Sequence, residues 1–154
     1  MAELKVGGKA PDFKLPTGDD SVLALADLRG KKVVLYFYPK DDTSGCTKEA
    51  CSFQENLSSI KKKGAIVVGV SADNPASHKK FSVKYDLSFP LISDGEKQLV
   101  KTYGVWKEKS MYGKKYMGIE RTTFVIDEKG IITHIFPKVK VDGHTEEVLN
   151  ALSS

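Results

Sequence analysis

Two uncharged runs, VVLYFY (33–38) and AIVVGVSA (65–72), constrain this chain more than any other feature. Both are β-prone and unbroken by polar alternation, so each reads as a strand buried on both faces of a sheet. Between them, Cys46, Ala50, Phe53, Leu57 and Ile60 recur at helical spacing, which predicts a helix over 45–62. Strand, helix and strand in this order form a crossover. Such crossovers are right-handed almost without exception, which lays the two strands parallel with the helix packed on the sheet.

The rest of the chain extends this unit. Residues 12–25 alternate loosely and suggest a short strand pair before a turn at Gly30. Asn74 and Pro75 supply an N-cap and an N1 proline for a helix reaching Tyr85. A short strand over 89–92 and a helix over 96–103 follow. RTTFVID and IITHIFP flank the turn Glu128-Lys129-Gly130 and read as a hairpin, and residues 143–152 read as a closing helix. Residues 109–118, KSMYGKKYMG, read as a surface loop, and Trp106 as a locally packed residue at its start. The expected architecture is α/β: a thioredoxin-like fold with a central mixed β-sheet flanked by helices and an N-terminal strand extension. It is expected to form one domain over 1–154, long enough to bury roughly 68–70% of its unfolded surface.

The location of the protein decides how its two cysteines are read. The start MAELKVGGKAPDF lacks the apolar stretch of a signal peptide, and no run approaches membrane-spanning length. A cytoplasmic protein is the expectation. In a reducing compartment, paired cysteines point to catalysis or metal binding more than to architecture. The net charge of +4 comes with 22 Lys and only two Arg. Lys61, Lys62 and Lys63 close a helix, where cations complement the dipole, and no RNA-binding signature accompanies the other lysines. No nucleic-acid partner is expected.

Cys46 and Cys51 lie within PKDDTSGCTKEAC, residues 39–51. The topology sets Cys46 where a strand's C-terminal end gives way to a helix N-terminus, the usual ligand-binding edge of an open α/β sheet. Unpaired N–H groups and the helix dipole there favour a thiolate, lowering the thiol pKa below about 8.5. Gly45 permits a close approach beside the sulfur, Thr43 offers a hydroxyl, and Pro39 stops the strand and stiffens the loop. Arg121 opens a strand directed at the same edge. Its fixed, forked charge suits a thiolate. Arg29, in DLRGKK, reads as turn decoration.

Pro39-x-x-x-Thr43-x-x-Cys46 resembles the peroxidatic motif of peroxiredoxins. GKAPDFKLP, LRGKKVVLYFYP and YGVWKEKSMYGKKYMGIERTTFVID extend the likeness over most of the chain, toward the bacterioferritin comigratory protein or peroxiredoxin Q group. One departure is Ser44, where many relatives carry proline. The resemblance implies a thiol peroxidase reducing hydrogen peroxide and alkyl hydroperoxides. Cys46 would be peroxidatic and Cys51 resolving, with Thr43, Pro39 and Arg121 completing the site. It also implies an intramolecular Cys46–Cys51 disulfide recycled by thioredoxin, a monomer, and no metal or organic cofactor. On an ideal helix, residues five apart have Cα atoms roughly 9 Å apart. A disulfide tolerates about 4.4–6.8 Å, so forming this one should unwind the helix start.

Other readings fit less well. A disulfide oxidoreductase of the same fold would carry C-x-x-C rather than C-x-x-x-x-C. A zinc module would need closely spaced ligands, whereas His78, His134 and His144 are scattered singly and read as surface or partly buried positions. A Cys-His protease would need an orienting partner for His134, and none is visible. A thiol sensor without turnover would use the same pocket. Tyr36, Phe37, Tyr38, Phe53 and Phe124 read as core aromatics.

Overall fold

A strand buried on both faces must send alternate side chains into two separate cores, and the third strand does so. In the computed structural model, which describes residues 4–153, β3 (Lys32–Phe37) directs Val33, Leu35 and Phe37 into one apolar cluster. Val34 and Tyr36, with Tyr38 just beyond, enter the other. β3 pairs in parallel with β4 (Ala65–Ser71) through the crossover helix, and β4 pairs in parallel with β5 (Leu91–Ser93). On its other side β3 meets β8 (Thr122–Ile126) antiparallel, and β8 meets β9 (Ile132–Phe136). The order β5-β4-β3-β8-β9 is the mixed sheet of a thioredoxin-like fold. The N-terminal extension is the antiparallel pair β1 (Lys14–Pro16) and β2 (Val22–Ala24).

The expected helix over 45–62 is two helices. α1 (Ser44–Glu55) and α2 (Leu57–Lys62) are separated at Asn56, whose φ of −103° and ψ of 9° leave the helical region. The Asn56 side-chain Nδ2 donates to the Ser52 carbonyl (2.9 Å), an acceptor the helix would otherwise use for backbone alone. Short polar side chains disfavour helix interiors by this competition. The break escapes the sequence pattern because Phe53, Leu57 and Ile60 stay buried across it. α3 (Pro75–Lys84) starts as expected, with the Asn74 side chain accepting from the Ser77 N–H (2.8 Å). α4 (Gln98–Thr102) and α5 (His144–Ser153) complete the helices. Arg121 lies one residue before β8 rather than within it.

The surface loop expected over 109–118 is instead a hairpin. β6 (Trp106–Met111) pairs antiparallel with β7 (Lys114–Ile119) around Tyr112 and Gly113, both at positive φ. Two such residues make the two-residue turn whose twist suits a hairpin. Trp106 therefore opens a strand and packs against the first core cluster, with Lys97 Nζ 5.6 Å from its ring centre. Two histidines expected at the surface or partly buried are fully enclosed: His78 is 0% and His144 1% exposed. No helix among the described residues is long and apolar enough to cross a membrane.

Candidate active site

The site begins where the β3 ladder stops. Tyr38 N–H still donates to Val70 (3.0 Å), but Pro39 has no N–H to continue, and the chain turns outward. The turn is anchored below by buried Asp41. Its carboxylate accepts from Tyr38 Oη (2.6 Å) and Ser77 Oγ (2.8 Å) and meets His78 Nδ1 at 2.7 Å. His78 Nε2 faces the Ile92 carbonyl at 2.9 Å, so both ring nitrogens face acceptors. Asp73 Oδ2 accepts from the Asp41 N–H (2.8 Å) and Ser71 Oγ (2.6 Å). Asp41, Asp73 and His78 form the one group among the described residues with metal-ligand proximity. Both Asp41 oxygens and Asp73 Oδ2 already accept from protein donors, and both His78 nitrogens already face protein acceptors.

α1 then starts at Thr43 without a side-chain cap. Thr43 Oγ1 donates backward to the Lys40 carbonyl (2.9 Å), so its hydrogen serves the loop and only its lone pairs remain for a ligand. The first N–H groups of the helix have no intrahelical acceptor, and Cys46, in its first turn, is 2% exposed. Arg121 arrives from the sheet side. Its Nη2 donates to Cys46 Sγ at 3.3 Å and its Nη1 to Glu49 Oε1 at 2.6 Å. A Cβ on Gly45 would lie 3.2 Å from Nη2, so this glycine clears the guanidinium's path.

Glu49 does not stand out in the sequence. Its only local signal is the position three residues after Cys46, on the same helix face. It is 2% exposed, and burial raises its carboxyl to about 7 despite Arg121, which pulls the other way. Its second oxygen is buried without a partner, as is Tyr36 Oη nearby. Burial first, then the charges of Glu49 and Cys46, hold the Tyr36 phenol well above its usual range. Burial works against the charge on Arg121, but Glu49 and Cys46 outweigh it and keep the guanidinium firmly protonated.

Cys51 lies on the same helix and is half-buried. Burial, then Glu55, push its thiol upward. Both cysteines are free. Cys46, Thr43, Pro39 and Arg121 thus converge on one edge, while Cys51 sits apart from Arg121's reach to the sulfur. His134 stacks on Phe136 away from this edge, and His144 is enclosed by Phe53, Phe136 and Thr123. Arg29 is exposed and lies beside Gly130. The arrangement can hold a sulfur anion under a forked cation at a helix end that has no side-chain cap.

Comparison with known proteins gives consistent relatives. A family model described as AhpC/TSA matches residues 6–135. The Bacillus subtilis protein named peroxiredoxin Bcp is 45% identical over 149 residues, covering 97% of this chain and 95% of that one. The crystal structure of a cysteine-to-serine mutant of Xylella fastidiosa PrxQ superposes with a TM-score of 0.93 at 38% identity, covering 99% and 98% of the two chains. A Xanthomonas campestris bacterioferritin comigratory protein, studied for alkyl peroxide reduction, gives 0.87 at 42% identity, covering 92% and 90%.

Proposed function

We propose, from the premise that this chain belongs to the AhpC/TSA family and is a thiol peroxidase of the peroxiredoxin Bcp or Q type, a complete catalytic cycle run by Cys46 and Cys51. The Cys46 thiolate attacks the terminal oxygen of a hydroperoxide, and the O–O bond breaks. The sulfur becomes a sulfenic acid, and the other oxygen leaves with a proton as water or an alcohol. The Cys51 thiol then displaces that hydroxyl as water, giving an intramolecular disulfide. An external dithiol, thioredoxin, reduces it by exchange and is itself oxidised. The cycle requires no metal or organic cofactor.

The observation that carries this reading is Arg121 Nη2 at 3.3 Å from Cys46 Sγ, at an uncapped helix N-terminus. One guanidinium and the free N–H groups stabilise the thiolate before attack and the departing oxygen during it. The Thr43 lone pairs can accept the peroxide's hydrogen, and Pro39 keeps the loop turned out of the ladder. The study of alkyl peroxide reduction by the Xanthomonas relative supports alkyl hydroperoxides as well as hydrogen peroxide as substrates. The chain acts as a single domain over 1–154, a cytoplasmic monomer, since both thiols lie in one chain.

Peroxide consumption by two variants tests the cycle. Cys46→Ser should consume none, whereas Cys51→Ser should consume one equivalent and then stop when thioredoxin is the reductant. Activity of Cys46→Ser above a tenth of the unaltered chain, or undiminished thioredoxin cycling by Cys51→Ser, would refute the assignment.

A further inference from the structure

The β6–β7 hairpin separates its charges by face. Side chains alternate along each strand, and directly paired residues share a face. The register puts Lys107, Lys109 and Met111 on the same face as Gly118, Tyr116 and Lys114. That face has three lysines and no acid. The opposite face anchors the base through Trp106 and Ile119 and balances its charge, with Lys115 Nζ 3.6 Å from Glu108. The basic face also carries exposed apolar surface, Met111 at 56% and Tyr116 at 44%.

We propose that this basic face is the docking surface for the protein dithiol that reduces the Cys46–Cys51 disulfide, and that the partner presents carboxylates and apolar surface beside its thiols. The proposal rests on the peroxidase cycle above. The face adjoins the site by two routes. β7 ends at Ile119, and Glu120 alone separates it from Arg121, whose Nη2 donates to the Cys46 sulfur. Lys109 is half-buried, its stem lying across Gly118, where a Cβ would come within 3.2 Å of Cδ. Burial, then Arg121, lower the Lys109 pKa, while Cys46 and Glu120 raise it, which is the electrostatic signature of a lysine at the rim of the site.

Charge selects the occupant. A second copy of this face would bring three lysines against three lysines, and like charges brought together disfavour that pairing. An acidic partner gains the same interactions with the opposite sign, and long-range attraction raises its encounter rate. Methionine and tyrosine supply adaptable apolar contact without demanding one fixed geometry. A partner docked there meets the 46–51 segment as the start of α1 unwinds.

Lys114 and Lys115 are neighbours on opposite faces, so reversing each makes the same charge change in two places. Steady-state peroxidase assays with a bacterial thioredoxin and its reductase should give about a fivefold lower kcat/KM for Lys114→Glu, the charge-matched counterpart of Lys115→Glu, and about a tenfold lower one for the Lys107→Glu/Lys114→Glu double variant, a size typical of lost steering. The effect should fade as ionic strength rises. Tyr116→Ser should lower kcat/KM without that salt dependence. Lys115→Glu should stay within about twofold of the unaltered chain. Turnover supported by dithiothreitol, and the rate of Cys46 oxidation, should be unchanged in every variant. An equal loss from Lys115→Glu, an unaffected double variant, or dithiothreitol turnover without any thioredoxin turnover in the unaltered chain would overturn the proposal. Hairpin reversals that alter only self-association or binding to anionic vesicles would overturn it too. Loss of dithiothreitol turnover in the unaltered chain would instead bring down the peroxidase cycle itself.

Discussion

Replacing Glu49 by Gln should make the folded protein more stable in mild alkali and flatten its dependence on pH. The carboxyl titrates at about 7 in the fold against 4.5 when unfolded, because burial penalises its charge more than Arg121 relieves it. The folded state therefore holds a proton that the unfolded state has already released. Stability is greatest below pH 4.5 on this account and falls as pH rises toward 7, levelling off beyond. A difference of about 2.5 pKa units corresponds to about 3 kcal/mol. Gln has the same shape, and its carbonyl can still accept from Arg121 Nη1, so the hydrogen bond survives while the buried charge does not. The measurement is urea denaturation of reduced protein between about pH 4.5 and 8.5, in a Cys46→Ser background so that the thiol does not contribute. The parent should lose about 3 kcal/mol across that range relative to the Glu49→Gln variant, with m-values matched. Parallel pH profiles for the two would refute the reasoning. So would a Glu49→Gln variant less stable than the parent at about pH 8, which would mean the ion pair outweighs the burial penalty.

Three further outcomes are expected. Arg121→Lys keeps a positive charge but cannot bond the Cys46 sulfur and Glu49 together, so stopped-flow oxidation of Cys46 should slow about a hundredfold. A normal rate would remove Arg121 from the reaction. Gly45→Ala adds a Cβ 3.2 Å from Arg121 Nη2 in a helical position, so oxidation should slow roughly tenfold while unfolding free energy shifts by no more than about 1 kcal/mol either way. Unchanged kinetics would show that the guanidinium can shift freely. Amide hydrogen exchange over residues 43–58 should rise sharply in the disulfide form, since both cysteines lie in α1 and an intact helix holds them too far apart to bond. Equal protection in both redox states would contradict helix opening.

The parts of this molecule that can be read from the sequence are those whose signal is local. Val33 to Tyr38 and Ala65 to Ser71 announce central strands because burial on both faces leaves no charged residue within either run. Arg121 stands out because it is one of two arginines. The β6–β7 hairpin is not legible, because its outer half is exposed on both faces and shows no apolar alternation. Its turn begins with Tyr112, where asparagine or aspartate would have given the signal. The buried histidines are hidden for another reason. His78 finds Asp41 37 residues away, and His144 finds Thr123 21 residues away, and a lone histidine carries no mark of a distant partner. Glu49 likewise becomes distinctive only when the sheet delivers Arg121 to it from 72 positions away.

The break at Asn56 divides what can open from what cannot. A continuous helix from 44 to 62 would pass any unwinding at Cys46 along one hydrogen-bonded ladder toward Leu57 and Ile60. With the ladder interrupted, α2 keeps its two core residues seated against the sheet whatever α1 does. Phe53, in the last turn of α1 and packed 4.7 Å from the Tyr36 ring, forms the inner boundary of the movable part. On the proposed cycle, each turnover would therefore melt the start of one helix rather than a domain. The oxidised and reduced forms should share one global unfolding core, so the protein can be opened repeatedly without approaching the state from which chains aggregate.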